Sequence, residues 1–320
     1  MATPNVHQGE APRSLPRPQA KQKDAGLSLL FQRLIPYAFL LPGLLLFGVF
    51  VVLPMLYSFR ISLYDWDILR PERSEYVGLG HYLDILNNGV FQRAALNTLL
   101  YAVVTVPAQM GLGLGIAILL NQRLPGQAFF RTLYYLPVIT SWVIVSLLFE
   151  YLFNGQAGLV NYLLQQARLV DQPVRWLADE TLAMIPIHLL GIWKGVGWTA
   201  IVMLAGLQAI PEALYEAAAV DGANAWRRFR FFTLPLLRPT LVFLLVVLTI
   251  GALNVYISGL LMTDGGNPLD RTHFVLTLMY EETFDNFEFG RGAAISYLLT
   301  AVVFVISLVQ IRVLQRDIEY

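Results

Sequence analysis

Residues Glu212–Pro239 read EALYEAAAVDGANAWRRFRFFTLPLLRP, a polar island between two long apolar runs. Glu-Ala-Ala comes first, then Asp-Gly-Ala, a basic-aromatic segment, Leu-Pro and a second Pro. A loop that merely joins two membrane helices needs none of this. Helix formers from Pro211 to Ala219, with Pro at the first position, predict a short helix. Gly222 sits where a left-handed C-cap ends it. Ala225 to Phe232 predicts a second short helix, stopped by Leu234-Pro235. Two short helices at a membrane surface suggest a docking element for another protein.

The apolar runs on either side belong to a larger set. The chain is 56% hydrophobic and only 14% charged, with a mean hydropathy of +0.57; a soluble domain is nearer a quarter charged. Six runs, near 34–59, 95–120, 130–153, 182–207, 240–262 and 293–313, reach the roughly 20 helical residues that a bilayer core of about 30 Å requires. The expected fold is all-α: a polytopic integral membrane protein of six transmembrane helices over 34–320. The loop 208–239 stands out from it, and a Pro-, Gln- and basic-rich segment, 1–33, is expected to be a disordered tail. The first run is too long for a cleavable signal peptide.

Basic residues set the orientation. The tail, the loop after the second run, the island and the C-terminal end together hold 13 Lys and Arg, against 8 in the three other, longer and more acidic loops. The positive-inside rule then puts both termini and the island in the cytoplasm. Net charge is zero and there is no Cys, so nothing favours a nucleic-acid partner and thiolate chemistry is excluded.

Polar residues within the runs are few. Gly111, Gly113 and Gly115 have the wrong spacing for a dinucleotide fingerprint and indicate close helix packing. Glu150 lies near the outer end of the third run. The fourth run holds His188, Trp193, Lys194 and Trp198. A lysine halfway along a span either marks a functional site or pairs with a backbone carbonyl or a water-filled seam. In the fifth run, Asn254 and Ser258 are four apart and share a helical face, whereas Tyr256 points elsewhere. Asn254, Tyr256, Trp193, Lys194 and Trp198 are the candidates for lining a solute pathway, set against simple packing or interface anchoring.

No catalytic or metal-binding residues are readable. The four histidines are scattered, hydrolase and zinc motifs are missing, and no Walker A sequence is present. Intramembrane ionisable groups are too sparse for a convincing proton or sodium relay. If the chain moves a solute, its energy comes from a partner, and the island is the place for it to enter. Leu214, Ala217, Ala218 and Asp221 fall on one face of the first short helix, and Glu216 is free to pair with a basic group there. An ion-gradient carrier remains the alternative.

Glu216-Ala217-Ala218, three residues, Gly222, nine residues, then Phe232-x-Leu234-Pro235 resembles the EAA loop of ATP-binding-cassette importer permeases. The family usually has Ile at the place of Phe232. Asp221, Ala223, Trp226, Phe229 and Pro239 also fit. Leu41-Pro42, Pro54-x-x-Tyr57-Ser58-Phe59, Val77-Gly78-Leu79, Asn97-Thr98, Phe130-Arg131-Thr132, Asn161 and Thr263-x-Gly265-Gly266-x-Pro268 are similar to the sugar-importer branch, that of the maltose and glycerol-3-phosphate permeases. The resemblance implies a MetI-like permease fold in a prokaryotic cytoplasmic membrane. It implies a second permease subunit, usually a different one, two ATP-binding subunits that carry ATP and Mg, and an extracytoplasmic solute-binding protein. This chain would bind no cofactor itself. Glu216, Ala217, Ala218, Asp221, Gly222, Leu234 and Pro235 would couple it to the ATPase, whose closure on ATP would switch the pore outward. Which sugar, or whether another solute, is left open.

Overall fold

The computed structural model describes residues 25–122 and 125–314. They fall into two units, one ending at Tyr57 and the other beginning at Ser58. Most of the expected tail lies outside the described residues. From Ala25 onward, however, the chain is helical (α1, Ala25–Phe47), because the Leu-rich stretch 27–31 extends the helix ahead of the apolar run. Pro36 and Pro42 sit inside α1. A π turn at Gly48–Val52 precedes α2 (Leu53–Ile61), which widens the backbone just before Pro54. Ile35–Ile61 is long and apolar enough to cross a membrane.

In the second unit a short antiparallel pairing, β1 (Tyr64–Asp65) with β2 (Glu75–Tyr76), leads into α3 (Gly80–Asn87). Asn88 caps the next helix, α4 (Gly89–Leu120), accepting from the Val90 and Phe91 amides at 2.8 and 3.2 Å. The central packing is α4 against α8 (Met184–Gln208). A Cβ on Gly113 would stand 2.7 Å from Thr199 Cγ2, so the close approach expected of the glycine run rests on Gly113. Gly111 and Gly115 meet only open space; they lie on the opposite side of the helix from Gly113.

The third span is not one rod. It consists of α5 (Gln127–Ile139) and α6 (Trp142–Leu152), bent by 93°. Thr140 and Ser141 are extended at the break. Beyond it come α7 (Leu159–Gln166) and a loop gathered by buried Asn161, which bonds Val174 on both its amide and its carbonyl and accepts from the Trp176 indole at 3.0 Å.

After α8 come the two short helices expected from the sequence, α9 (Glu212–Val220) and α10 (Ala225–Arg228). Leu234-Pro235 does not stop the second one. A π turn at Phe229–Thr233 feeds α11 (Leu234–Leu236) and then α12 (Arg238–Leu253), its extra residue accommodating the proline ring. The fifth span breaks as well: α12 ends at Leu253 and α13 (Ile257–Met262) starts afresh. α14 (Val275–Tyr280) and α15 (Phe289–Leu314) complete the described residues. Among these, five helical stretches are long and apolar enough to span a membrane, or six if the bent α5–α6 pair counts as one.

Candidate functional site

The α9 segment is built as a rigid projection. Pro211 precedes it with extended ψ, and Gly222 closes it at φ +76°. The Ala223 amide reaches Ala218 O at 2.9 Å and the Gly222 amide reaches Ala219 O at 3.1 Å, the two bonds of a Schellman end. Asn224 then caps α10 by accepting from the Arg227 amide at 2.8 Å. Behind α9, Ala218 is buried and Tyr215 shares a 3.0 Å hydrogen bond with Thr233 Oγ1. Tyr215 lines a recess with Leu207 and Thr233, and Leu207 belongs to an apolar cluster that joins Ala117 and Leu120 of α4, Met203 and Leu204 of α8, and Leu237 and Leu244.

The face inferred from the sequence is therefore divided. Ala217, Asp221 and Gly222 are exposed with Glu216, whereas Ala218 belongs to the inner side. A helix resting on a bundle must bury one stripe, and Tyr215 and Ala218, three apart, form it. Leu234 is half-buried and Pro235 exposed, both on the helix leading into α12.

The second feature is a cavity of about 470 Å³ between α4, α8, α12 and the two helix breaks. Asn254, Tyr256 and Ser258 all line it, together with Trp198, Trp142, Tyr101 and Gln109. The expectation that Tyr256 must point away from Asn254 and Ser258 assumed a continuous helix. The chain instead leaves the helix at Asn254 and re-enters it at Ile257, so three alternate residues face one space. Asn254 donates to Ile250 O at 2.7 Å, which leaves its side-chain oxygen for another partner. Ser258 Oγ is buried without a hydrogen-bond partner. Gly191 and Gly195 make room for the Tyr101 hydroxyl and the Gln109 amide, and Gln109 donates to Gly191 O at 3.2 Å.

Trp193 and Lys194 are not brought to this cavity. Trp193 packs on Phe149 with ring centroids 5.8 Å apart and lines a separate recess between α5 and α8. Lys194 is 5% exposed; its ammonium donates to Pro137 O at 2.9 Å and Thr140 O at 2.6 Å.

Residues 77–318 match the sequence pattern of the family described as binding-protein-dependent transport system inner membrane component. The chain belongs to this family. It is a membrane-spanning permease of an ATP-binding-cassette importer, a transport subunit and not an enzyme. This permease is 35% identical over 277 residues to the trehalose/maltose transport system permease protein MalF of Thermococcus litoralis, covering 87% of this chain and 92% of that one. It is 34% identical over 277 residues to the lactose transport system permease protein LacF of Rhizobium radiobacter, covering 86% and 92%. Its fold matches, with a TM-score of 0.78 and 25% identity, a chain from the crystal structure of a bacterial ABC transporter involved in the import of the acidic polysaccharide alginate. The match covers 92% of this chain and 99% of that one.

The family match takes in both α9 and the two breaks. Several cavity residues of the permease were missed in the sequence: Trp142, Tyr101 and Gln109. Gln109 had a signal, as the one amide in the middle of the apolar run 95–120. Tyr101 and Trp142 had none, since aromatic residues in spans are common.

The loop between α13 and α14 is tied to α4 of the permease. Asn97 of α4 donates to Arg271 O and His273 O at 2.8 and 2.9 Å, and Thr98 accepts from the Val275 amide at 3.0 Å. Arg271 also pairs with Glu180 ahead of α8. His273 is buried, with Glu281 Oε2 3.1 Å and Asp270 Oδ1 4.0 Å from Nε2. Burial holds the His273 pKa below its ordinary value, against the opposing pull of the Asp270 and Glu282 carboxylates. Burial, and then the neighbouring Asp270, Glu282 and Asp285, push Glu281 up.

Proposed function

We propose that this permease imports a sugar or related carbohydrate through a prokaryotic cytoplasmic membrane, with both termini and α9 on the cytoplasmic side. The observation that carries the reading is the composition of the cavity. Amide and hydroxyl groups (Gln109, Asn254, Tyr256, Ser258) stand beside aromatic faces (Tyr101, Trp142, Trp198). Sugars offer hydroxyls to the former and C–H faces to the latter. The names of the relatives, which transport trehalose, maltose and lactose, point the same way.

In this proposal a second permease subunit completes the pore and an extracytoplasmic binding protein delivers the solute. Two ATP-binding subunits hold ATP and Mg and grip the exposed face of α9, centred on Glu216, Ala217, Asp221 and Gly222. This chain binds no cofactor. ATP-driven closure of the ATPase pair moves α9, and the Tyr215–Thr233 tie passes the motion to the apolar cluster that joins α4, α8 and α12 as a rigid body. The test is reconstitution with its partner subunits. Uptake of labelled maltose, trehalose or lactose is expected to require trapped ATP and the binding protein. Uptake that follows a proton or sodium gradient and ignores ATP would overturn the proposal.

A further inference from the structure

The α5–α6 break exposes carbonyls that a continuous helix would have bonded. Pro137 O would accept from the amide four residues on, but Thr140 and Ser141 are extended, so the last carbonyls of α5 lose their helical amide donors; the Thr140 hydroxyl takes up part of the loss by donating to Pro137 O at 2.6 Å. The ammonium of Lys194 donates to Thr140 O (2.6 Å) and is a second donor to Pro137 O (2.9 Å), so it bonds both carbonyls at the break at once. A positive charge at the C-terminal end of a helix is also where the macrodipole favours it. The same ammonium stands 5.0 Å from the centroid of the Trp142 ring, the first residue of α6 and part of the cavity wall. At 5% exposure Lys194 has no comparable solvation elsewhere, so its charge and the break stabilise each other.

We infer that Lys194 is a positioning residue for transport: it clasps the α5–α6 break and thereby holds Trp142 as one wall of the solute cavity. Lys194 does not touch the solute; it acts through Trp142. The bend it maintains is also what lets α6 pack against α13, the piece that carries Ser258.

The chain has no cysteine, so a pair introduced at the exposed positions Phe129 and Tyr151 reports the α5–α6 angle after spin labelling of the full chain in lipid nanodiscs. The wild type and Lys194→Arg are expected to give one narrow distance. Lys194→Met, which keeps the volume and removes the donors, is expected to give a broader and longer distribution as the bend opens. Lys194→Gln, which keeps one donor group, serves where the Met variant fails to insert, and is expected to fall between. A narrow, unchanged distance in a folded Met or Gln variant overturns the clasp.

The second arm measures uptake of labelled maltose by the reconstituted importer, and this arm rests on the proposed function. Lys194→Met and Trp142→Ala are expected to raise KM roughly tenfold at a similar maximal rate, while Lys194→Arg restores the wild-type KM. A raised KM with an unchanged bend would make Lys194 a direct solute contact and overturn the inference. An opened bend with an unchanged KM would overturn the link to Trp142. Absence of uptake by the wild type would count against the sugar reading alone, since the spin-label arm does not depend on it.

Discussion

The α9 projection and the cavity are built in opposite ways. α9 is continuous in sequence: its start, its left-handed stop at Gly222 and the cap of the next helix lie within 14 residues, from Pro211 to Asn224. Its outer face is free, and one stripe, Tyr215 and Ala218, ties it down. The cavity draws its walls from four stretches separated in sequence: α4, the start of α6, α8, and the run from α12 through its break to Ser258. A device that must be gripped from outside needs a stiff, self-contained helix. A device that must change shape around a solute uses interrupted helices, whose breaks expose backbone and side chains together.

The sharpest way to break this comparison is to alter the α9 face and leave its underside alone. Glu216→Lys reverses a charge on the free face, and Gly222→Asp adds one at the turn. No atom lies within 4 Å of the place that a Cβ on Gly222 would take, so the cost to the fold of Gly222→Asp is limited to its φ of +76°, about 1 kcal/mol. Losing a docked charge pair costs about 2–5 kcal/mol, which corresponds to roughly 30-fold or more in affinity. Both variants are expected to insert normally while binding-protein-stimulated ATP hydrolysis falls by that factor. Normal stimulation in either would show that the subunits meet elsewhere.

The cavity should respond in the opposite sense. Asn254→Ala removes an amide whose side-chain nitrogen bonds Ile250 O and whose oxygen is left for another partner, at the end of α12. A hydrogen bond to a neutral solute group contributes about 1 kcal/mol, so KM for a transported sugar is expected to rise roughly fivefold while ATPase stimulation is unchanged. A fall in both together would erase the distinction between the two regions.

These differences also decide what could be read from the chain. The ends of α9 depend on Pro211, Gly222 and Asn224, whose effects act over three or four residues, so they are legible. The underside of α9 was not, because the choice between Ala217 and Ala218 depends on where Thr233 and the α8 end lie. Prolines show the limit most clearly. Pro36, Pro42 and Pro107 all remain inside helices, whereas Pro137 precedes a right-angled break. The residue that satisfies that break, Lys194, is 57 positions away from Pro137 and 54 from Thr140. A span with a proline and a serine looks the same in sequence whether or not such a partner exists.

The smallest expected effect concerns the loop between α13 and α14, which belongs to the cavity end: Phe274, next to His273, packs edge-on against Tyr101 of the cavity wall, centroids 5.6 Å apart. Because burial lowers the His273 pKa, the unfolded chain binds a proton there more readily than the folded one. The stability this contributes is present above the ordinary histidine value and is lost as pH falls through the lowered one. Glu281 acts in the reverse sense. Its pKa is raised, so its contribution is present at acid pH and is lost as pH rises through the raised value. Where the two titrations overlap they oppose each other, with Asp270, Glu282 and Thr277 as the other groups facing the imidazole. The wild-type unfolding temperature in nanodiscs is expected to fall modestly on acidification. His273→Gln is expected to flatten that slope, and Glu281→Gln to steepen it by removing the compensating group. An unchanged slope in His273→Gln would mean that the imidazole is already hydrated, and that the loop does not close over the cavity as tightly as Asn97 and Thr98 hold it here.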